Sequence, residues 1–115
     1  MTISTNSLQE KKCIPCQGGV PPISKIDREN LLNELQNWQI VDDHHLYKAY
    51  KFKNYKDAFS FVSQISLVAE EENHHPDIEL GWGYVNLKIY THKIDNLTES
   101  DFIFAAKVDA IISEL

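Results

Sequence analysis

Strict alternation in residues 84–91 is the sequence feature that most constrains the fold. Val85, Leu87 and Ile89 would point to one side of an extended strand, while the residues between them are polar or aromatic. An apolar side and a polar side are typical of a strand in an antiparallel sheet with one covered face. The strand therefore needs neighbouring strands, and other elements must cover its apolar side.

The segment after Asn54 shows the other period, that of a helix. Its apolar residues recur three or four positions apart at Ala58, Phe61, Ile65 and Val68. Asn54 can cap the start of this helix. Pro76 disfavours helical geometry in the residue before it, so we predict a core-facing helix of about twenty residues that ends near His74.

The remaining elements complete the order α-β-β-α-β-β-α. Ser24 and Asp27 have the spacing of a capping box, which predicts a first helix that runs to about Gln36. Its predicted apolar stripe is Ile26, Leu31, Leu32 and Leu35. Residues 38–41 and 45–52 read as strands joined by a turn at 42–44.

The segment after the long helix is predicted to form two more strands and a last helix. Residues 77–82 and 84–91 read as a hairpin around Gly81-Trp82-Gly83, and Thr98 with Asp101 forms another capping box before the last helix. The fold class is therefore α+β, a four-stranded antiparallel sheet with three helices packed on one face.

Length and composition narrow the organisation and the class of protein. The 115 residues fit one domain at 23–115, preceded by an arm at 1–22 that holds three of the four prolines and a Cys13-x-x-Cys16 pair. The formal net charge of -6 argues against direct nucleic-acid binding. No apolar stretch is long enough to predict a membrane helix, and no secretory signal is visible, so we expect a cytoplasmic protein.

The candidate chemistry lies in the histidines. His74 and His75 are adjacent at the predicted end of the long helix, His92 ends the last strand, and Asp101 begins the last helix. Glu70 precedes His74 by four residues, and Glu71 likewise precedes His75, so each imidazole can have a carboxylate beside it. If the three element ends meet, the result is a cluster suited to general acid–base catalysis.

Other interpretations of the same residues stay open at this point. The histidine pair can be a polar helix end, and Asp101 can simply cap a helix. A metal site is less favoured because adjacent helical residues point about 100° apart. Cys13 and Cys16 are too few for a structural zinc site, although a redox or metal-responsive role remains an alternative.

A longer spaced pattern resembles a known family. Glu70-x-x-x-His74-His75-Pro76, then Trp82, His92 and Asp101, is similar to the signature of the pterin-4a-carbinolamine dehydratases. The similarity extends from about Ser24 to Ile112. It implies a four-stranded antiparallel sheet with helices on one face, assembly into homodimers or homotetramers, and no metal or organic cofactor. The implied reaction dehydrates 4a-hydroxytetrahydropterin to quinonoid dihydropterin, which recycles the pterin after aromatic amino-acid hydroxylases have used it.

The resemblance also implies roles for individual residues. His75 and His92 would act as acid and base at C4a and N5, and His74 would assist binding. The candidates for substrate binding or for orienting the imidazoles are Glu70, Asn73, Pro76, Trp82, Thr91, Asp101 and Trp38. Many members have Asp where this chain has Asn73. The loss of that negative charge is expected to lower the pKa of a neighbouring histidine.

Two alternative functions follow from the same resemblance. Animal members also serve as dimerisation cofactors for a transcription factor, so a protein-binding module is one alternative. The other is a pterin dehydratase that serves molybdopterin-related metabolism.

Overall fold

The computed structural model describes residues 8–13 and 22–113 of the chain. The helices are α1 (Lys25–Leu32), α2 (Tyr55–Glu72) and α3 (Glu99–Ser113), and the strands are β1 (Gln39–Val41), β2 (His45–Lys51), β3 (Asp77–Gly81) and β4 (Tyr84–Ile89). A short 3-10 turn at Leu8–Glu10 precedes them. The predicted order of helices and strands is confirmed.

The four strands form one antiparallel sheet in the order β1-β2-β4-β3. Each outer strand is joined to its neighbour by a hairpin turn. Asp42 and Asp43 adopt positive φ angles in the first turn, and Gly83 does so in the second. The two inner strands pair from Leu46 opposite Ile89 onwards, so the two hairpins lie side by side. The predicted four-stranded antiparallel sheet is confirmed.

The two faces of the sheet differ in the way that the alternation predicts. Val85, Leu87 and Ile89 are completely buried, in one core with Phe61 of α2 and Phe102 of α3. The opposite face carries the polar and aromatic side chains of the same strands. Burial of the apolar face against the helices provides the main stabilisation of the fold.

The first helix is shorter than predicted. Ser24 caps it by accepting a hydrogen bond from the Asp27 N–H, as expected, but it ends at Leu32 rather than near Gln36. Tight turns follow, in which the N–H groups of Glu34 and Leu35 donate to carbonyls three residues earlier. These turns direct Leu35 into the core, whereas Ile26, predicted to be in the apolar stripe, is 72% exposed.

The long helix also ends earlier than predicted. It stops at Glu72 because Asn73 adopts a left-handed conformation, with φ 53° and ψ 42°. Asparagine tolerates this conformation better than most residues, so the helix ends before Pro76 can act. The strands are likewise slightly shorter than predicted, and β4 ends at Ile89, two residues before Thr91.

Part of the N-terminal arm packs on the domain. Leu8 and Cys13 are buried in the core, and the Lys107 ammonium donates to the Gln9 carbonyl. Cys16 lies outside the described residues, so the predicted Cys-x-x-Cys pair and the boundary between arm and domain stay predictions. Over residues 8–13 and 22–113, no helix is long and apolar enough to cross a membrane.

Candidate active site

The left-handed turn at Asn73 determines where the histidine pair points. It ends α2, and the His74 N–H then donates to the Ala69 carbonyl at 3.1 Å. His74 is directed inward and only 7% exposed, whereas the side chain of His75 is half exposed. Adjacent histidines therefore occupy different environments, one in the core and one at the surface.

His74 forms a buried pair with Asp101 from the start of α3. Its Nε2 lies 2.6 Å from Asp101 Oδ1, and the Asp101 side chain is completely buried. A buried carboxylate needs hydrogen-bond donors to offset the loss of water. His74 is one such donor, so the pair joins the end of α2 to the start of α3.

The second oxygen of Asp101 receives two further hydrogen bonds. The Thr91 hydroxyl and the Thr98 N–H each donate to Oδ2 at 2.8 Å. Because the Thr91 proton is used in this way, the Thr98 hydroxyl donates to Thr91 Oγ1, 2.9 Å away. Asp101 therefore caps α3, as its spacing predicts. It also holds His74, so the structural and functional interpretations of this residue are compatible.

Two more histidines lie at the surface, each beside a carboxylate. His75 Nε2 is 2.6 Å from Glu70 Oε2, and His92 Nε2 is 3.2 Å from Asp77 Oδ1. The side chains of both histidines are about half exposed, at 50% and 47%. Both imidazoles therefore combine a carboxylate within hydrogen-bond distance with access to solvent.

The carboxylate partners differ from those expected from helical spacing. Glu70 was expected beside His74 and Glu71 beside His75. The turn at Asn73 instead places Glu70 beside His75, five residues on, and leaves His74 to Asp101. The i,i+4 rule fails here because both histidines follow the last helical residue.

This arrangement is suited to moving protons. A carboxylate fixes the orientation of an imidazole and selects its tautomer, and a solvent-accessible histidine can both give and accept a proton near neutral pH. These histidines and carboxylates lie where four segments meet: the end of α2, the start of β3, the loop after β4 and the start of α3. Within the described residues, no three side chains of His, Cys, Asp or Glu are placed to hold one metal ion.

The two tryptophans predicted near the site lie away from it within this chain. Trp82 is 72% exposed in the β3–β4 turn, five residues and therefore about 16 Å along the strand from Asp77. Trp38 is buried just before β1, at the opposite edge of the sheet from β3, and its indole N–H donates to Asp109. Asp109 lies two helical turns, or about 12 Å, beyond Asp101.

The other two predicted site residues occupy backbone positions beside the histidines. Asn73 is exposed and forms the left-handed cap of α2, and Pro76 is half-buried between His75 and β3. Asn73 thus contributes a conformation that places both histidines.

Sequence reasoning missed Asp77 and Tyr90. Asp77 is the partner of His92, and the Tyr90 ring packs on the His92 imidazole with centroids 4.2 Å apart. The hairpin register contains the signal, because it pairs Asp77 with Lys88 on the polar face of the sheet. Extending that register brings the residues around 90–92 close to the start of β3.

Solved structures with this architecture define its class, the pterin dehydratase fold. A crystal structure titled transcriptional coactivator/pterin dehydratase, from Brucella melitensis, superposes with a TM-score of 0.74 at 32% identity and covers 79% of this chain and 98% of that one. A pterin dehydratase-like protein described as a RuBisCO assembly factor in the alpha-carboxysome gives a TM-score of 0.55 at 29% identity. That match covers 67% of this chain and 88% of that one.

The chain belongs to the pterin 4 alpha carbinolamine dehydratase family, whose sequence model matches residues 21–111. A Rubrobacter xylanophilus protein named as a candidate pterin-4-alpha-carbinolamine dehydratase is 51% identical over 106 residues, which cover 92% of this chain and 99% of that protein. A Rickettsia canadensis protein of the same name is 54% identical over 106 residues, covering 91% and 97%. The family resemblance predicted from the histidine pattern is confirmed.

Proposed function

We propose that this chain dehydrates a 4a-hydroxytetrahydropterin to the quinonoid dihydropterin by histidine acid–base catalysis, the hydro-lyase reaction of its family. One observation carries the mechanism: two half-exposed histidines, His75 and His92, each lie within hydrogen-bond distance of a carboxylate. Beside them, the buried pair of His74 and Asp101 connects the surrounding elements.

The reaction needs one proton donor and one proton acceptor. The bond between C4a and the hydroxyl oxygen breaks, and the hydroxyl leaves as water after it receives a proton. The proton on N5 is lost, and the electrons of its bond form the double bond between N5 and C4a. No electrons enter or leave, so two histidines in opposite protonation states are sufficient.

The different exposure of the three histidines suits them to different roles. His75 and His92 act on the hydroxyl and on N5, and their solvent access lets water restore both protonation states after each turnover. Glu70 and Asp77 hold the two imidazoles in one orientation, as a carboxylate does for a catalytic histidine. His74 is largely buried and therefore contributes one edge of the site rather than a group that exchanges protons freely.

We also propose the substrate, the location and the self-association of the chain, in keeping with its family membership. The substrate is a small pterin, the chain acts in the cytoplasm, and the natural route that supplies the substrate is aromatic amino-acid hydroxylation. The chain associates with further copies of itself. That last assignment is supported by three exposed apolar side chains on α2, Tyr55, Phe59 and Leu67, which lie within an arc of about 120°.

The test is the dehydration rate of freshly generated 4a-hydroxytetrahydropterin, followed by absorbance with the uncatalysed rate subtracted. We expect the wild-type protein to accelerate the reaction and His75→Ala or His92→Ala to lower kcat by about two to four orders of magnitude. Tyr47→Leu, on the polar face of β2, is the control variant and should retain the wild-type rate. Near-normal rates in both histidine variants would refute the mechanism.

A second candidate is a protein-binding module without required catalysis. It is favoured by the names of the two solved structures, one a transcriptional coactivator and one an assembly factor. The same assay separates the two functions. A correctly folded wild-type protein that does not accelerate dehydration would point to binding.

A further inference from the structure

His92 belongs to a closed ring of contacts that joins the loop after β4 to the β1–β2 turn. The Tyr90 ring packs against the His92 ring, with centroids 4.2 Å apart and planes inclined by 42°. The other neighbour of Tyr90 is His44, from the β1–β2 turn, with centroids 4.6 Å apart and planes inclined by 45°. Tyr90 is therefore held between two imidazoles.

His44, the second neighbour of Tyr90, has a partner at each of its ring nitrogens. His44 Nε2 lies 2.8 Å from Asp95 Oδ1, and His44 Nδ1 lies 3.0 Å from His45 Nδ1. His45 has a lowered pKa because of burial first, and then because of Lys88 and His44. Asp95 accepts a hydrogen bond from His44 Nε2–H, which leaves His44 Nδ1 to accept one from His45 Nδ1–H.

Asp95 closes the ring through the backbone. It belongs to the turn that begins at His92, and its N–H donates to the His92 carbonyl at 3.2 Å. The contacts thus run from His92 to Asp95, to His44, to Tyr90 and back to His92. Both the backbone and the imidazole of His92 are fixed by this circuit, which joins the loop after β4 to the β1–β2 turn.

We infer that Tyr90 is a positioning residue for His92, and that His44, anchored by Asp95, holds Tyr90 in place. This inference rests on the proposed function, in which His92 exchanges a proton with the pterin. Without the Tyr90 ring, a half-exposed histidine held by one 3.2 Å contact to Asp77 can occupy several rotamers. With it, the imidazole is confined between an aromatic ring and a carboxylate.

The ring of Tyr90 carries this role, and its hydroxyl does not. The pKa of Tyr90 is raised, by burial first and then by the nearby carboxylates of Asp77 and Asp95. The phenol therefore remains protonated at neutral pH and does not act as a base. Phenylalanine keeps the ring face and should replace tyrosine, whereas leucine should not.

The experiment compares Tyr90→Leu with Tyr90→Phe in the dehydration assay and by NMR of the histidine ring protons. The His92 signals are identified by their absence in His92→Gln. Tyr47→Leu, on the same face and paired in register with Lys88, is the matched control. We expect Tyr90→Leu to lower kcat about threefold to tenfold with little change in KM, and to shift the His92 ring protons downfield by removing the Tyr90 ring current.

Tyr90→Phe and the control should retain the wild-type kcat and His92 signals. In a double-mutant cycle, His44→Ala should cost less in a Tyr90→Leu background than alone. Unchanged His92 signals in Tyr90→Leu would overturn the inference. So would equal losses in Tyr90→Phe and Tyr90→Leu, or a raised KM with an unchanged kcat. A wild type without dehydratase activity would refute the proposed function. Loss of the nuclear Overhauser contacts between His92 and Asp77 in Tyr90→Leu, but not in Tyr90→Phe, would then still support the positioning role.

Discussion

Asp101 shows how one side chain can serve the fold and the candidate site together. Three donors converge on its carboxylate: the imidazole of His74, the hydroxyl of Thr91 and the backbone N–H of Thr98. Such a set must be fully satisfied, because a buried polar group without a partner is costly. The carboxylate is therefore a structural junction and also the group that selects the tautomer of His74.

Replacing this carboxylate by an amide should affect both roles. An Asn side chain in Asp101→Asn has only one acceptor oxygen, so at least one of the three donors would face its NH₂ group. We expect the free energy of unfolding to fall by about 1–3 kcal/mol in urea denaturation, and kcat to fall as well. Glu79→Gln, an acidic residue on the polar face of the sheet, is the control and should change stability by less than about 0.5 kcal/mol.

A stable Asp101→Asn variant with full activity would show that the hydrogen bonds around Asp101 are not needed for either role. A stable variant with low activity would show that Asp101 is needed to select the tautomer of His74 but is not needed to cap α3.

At the scale of elements, the described part of the N-terminal arm braces two helices beside the candidate site. The Cys13 N–H donates to Glu72 at the end of α2, at 2.8 Å, and the Cys13 thiol lies 3.5 Å from the Ser100 carbonyl in α3. Lys107 completes the contact by approaching Glu72 within 3.6 Å. Glu72 and Ser100 immediately precede Asn73 and Asp101, so the arm supports the two segments that carry the buried pair.

The brace predicts an unreactive thiol at Cys13. Burial, and then the charge of Glu72, raises the pKa of Cys13 from 9.0 to about 12. In a Cys16→Ser variant at pH 8, we expect Cys13 to be alkylated by iodoacetamide much more slowly in the native protein than in urea, as measured by mass spectrometry. Cys13→Ser reports Cys16 under the same conditions, and equally fast alkylation of native and unfolded Cys13 would exclude a docked arm.

The raised pKa of Cys13 also determines how the stability of the fold changes with pH. The folded state holds the thiol proton more tightly than the unfolded state, so this contribution to stability is complete below about pH 9. It is lost as the pH rises from about 9 to about 12, because only the unfolded chain can then release the proton. Unfolding free energies of wild type and Cys13→Ser should therefore converge in alkaline solution.

At the scale of the whole molecule, the exposed apolar side chains of α2 predict that the chain associates with a second copy of itself. One face of the sheet is buried by α2 and α3, while the outward side of α2 exposes Phe59 to 55% and Leu67 to 72%. Large apolar side chains grouped on one side of a helix are typical of protein–protein contacts. A second copy of the chain is the proposed partner.

Analytical ultracentrifugation should give a mass of about two or four times the 13.3 kDa of one chain. Leu67→Lys should reduce the mass. Ile26→Lys on α1 is the control, because Ile26 is also 72% exposed but lies on another helix. A monomeric wild-type protein at micromolar concentration would refute the association.

Local patterns in the sequence alone determined the elements, their order, the helix caps and the family resemblance. Strand alternation, helical periodicity and capping depend on interactions between residues close in the chain, which is why they could be predicted. Asn54 and Ser24 cap their helices as their spacing predicts, and Asp101 accepts the Thr98 N–H. The three histidines, Glu70 and Asp101 could be named from the spaced family pattern, whereas Asp77 and Tyr90 were missed.

Only the tertiary structure decided which of these residues meet. The left-handed turn at Asn73 placed Glu70 beside His75 instead of His74, and the packing of α3 on α2 brought Asp101 to His74 from 27 positions along the chain. The hairpin register brought Asp77 to His92, and the two turns brought His44 to Tyr90. Such contacts depend on how complete elements pack, because the free energy of a long-range pair is realised only when both of its elements are in place.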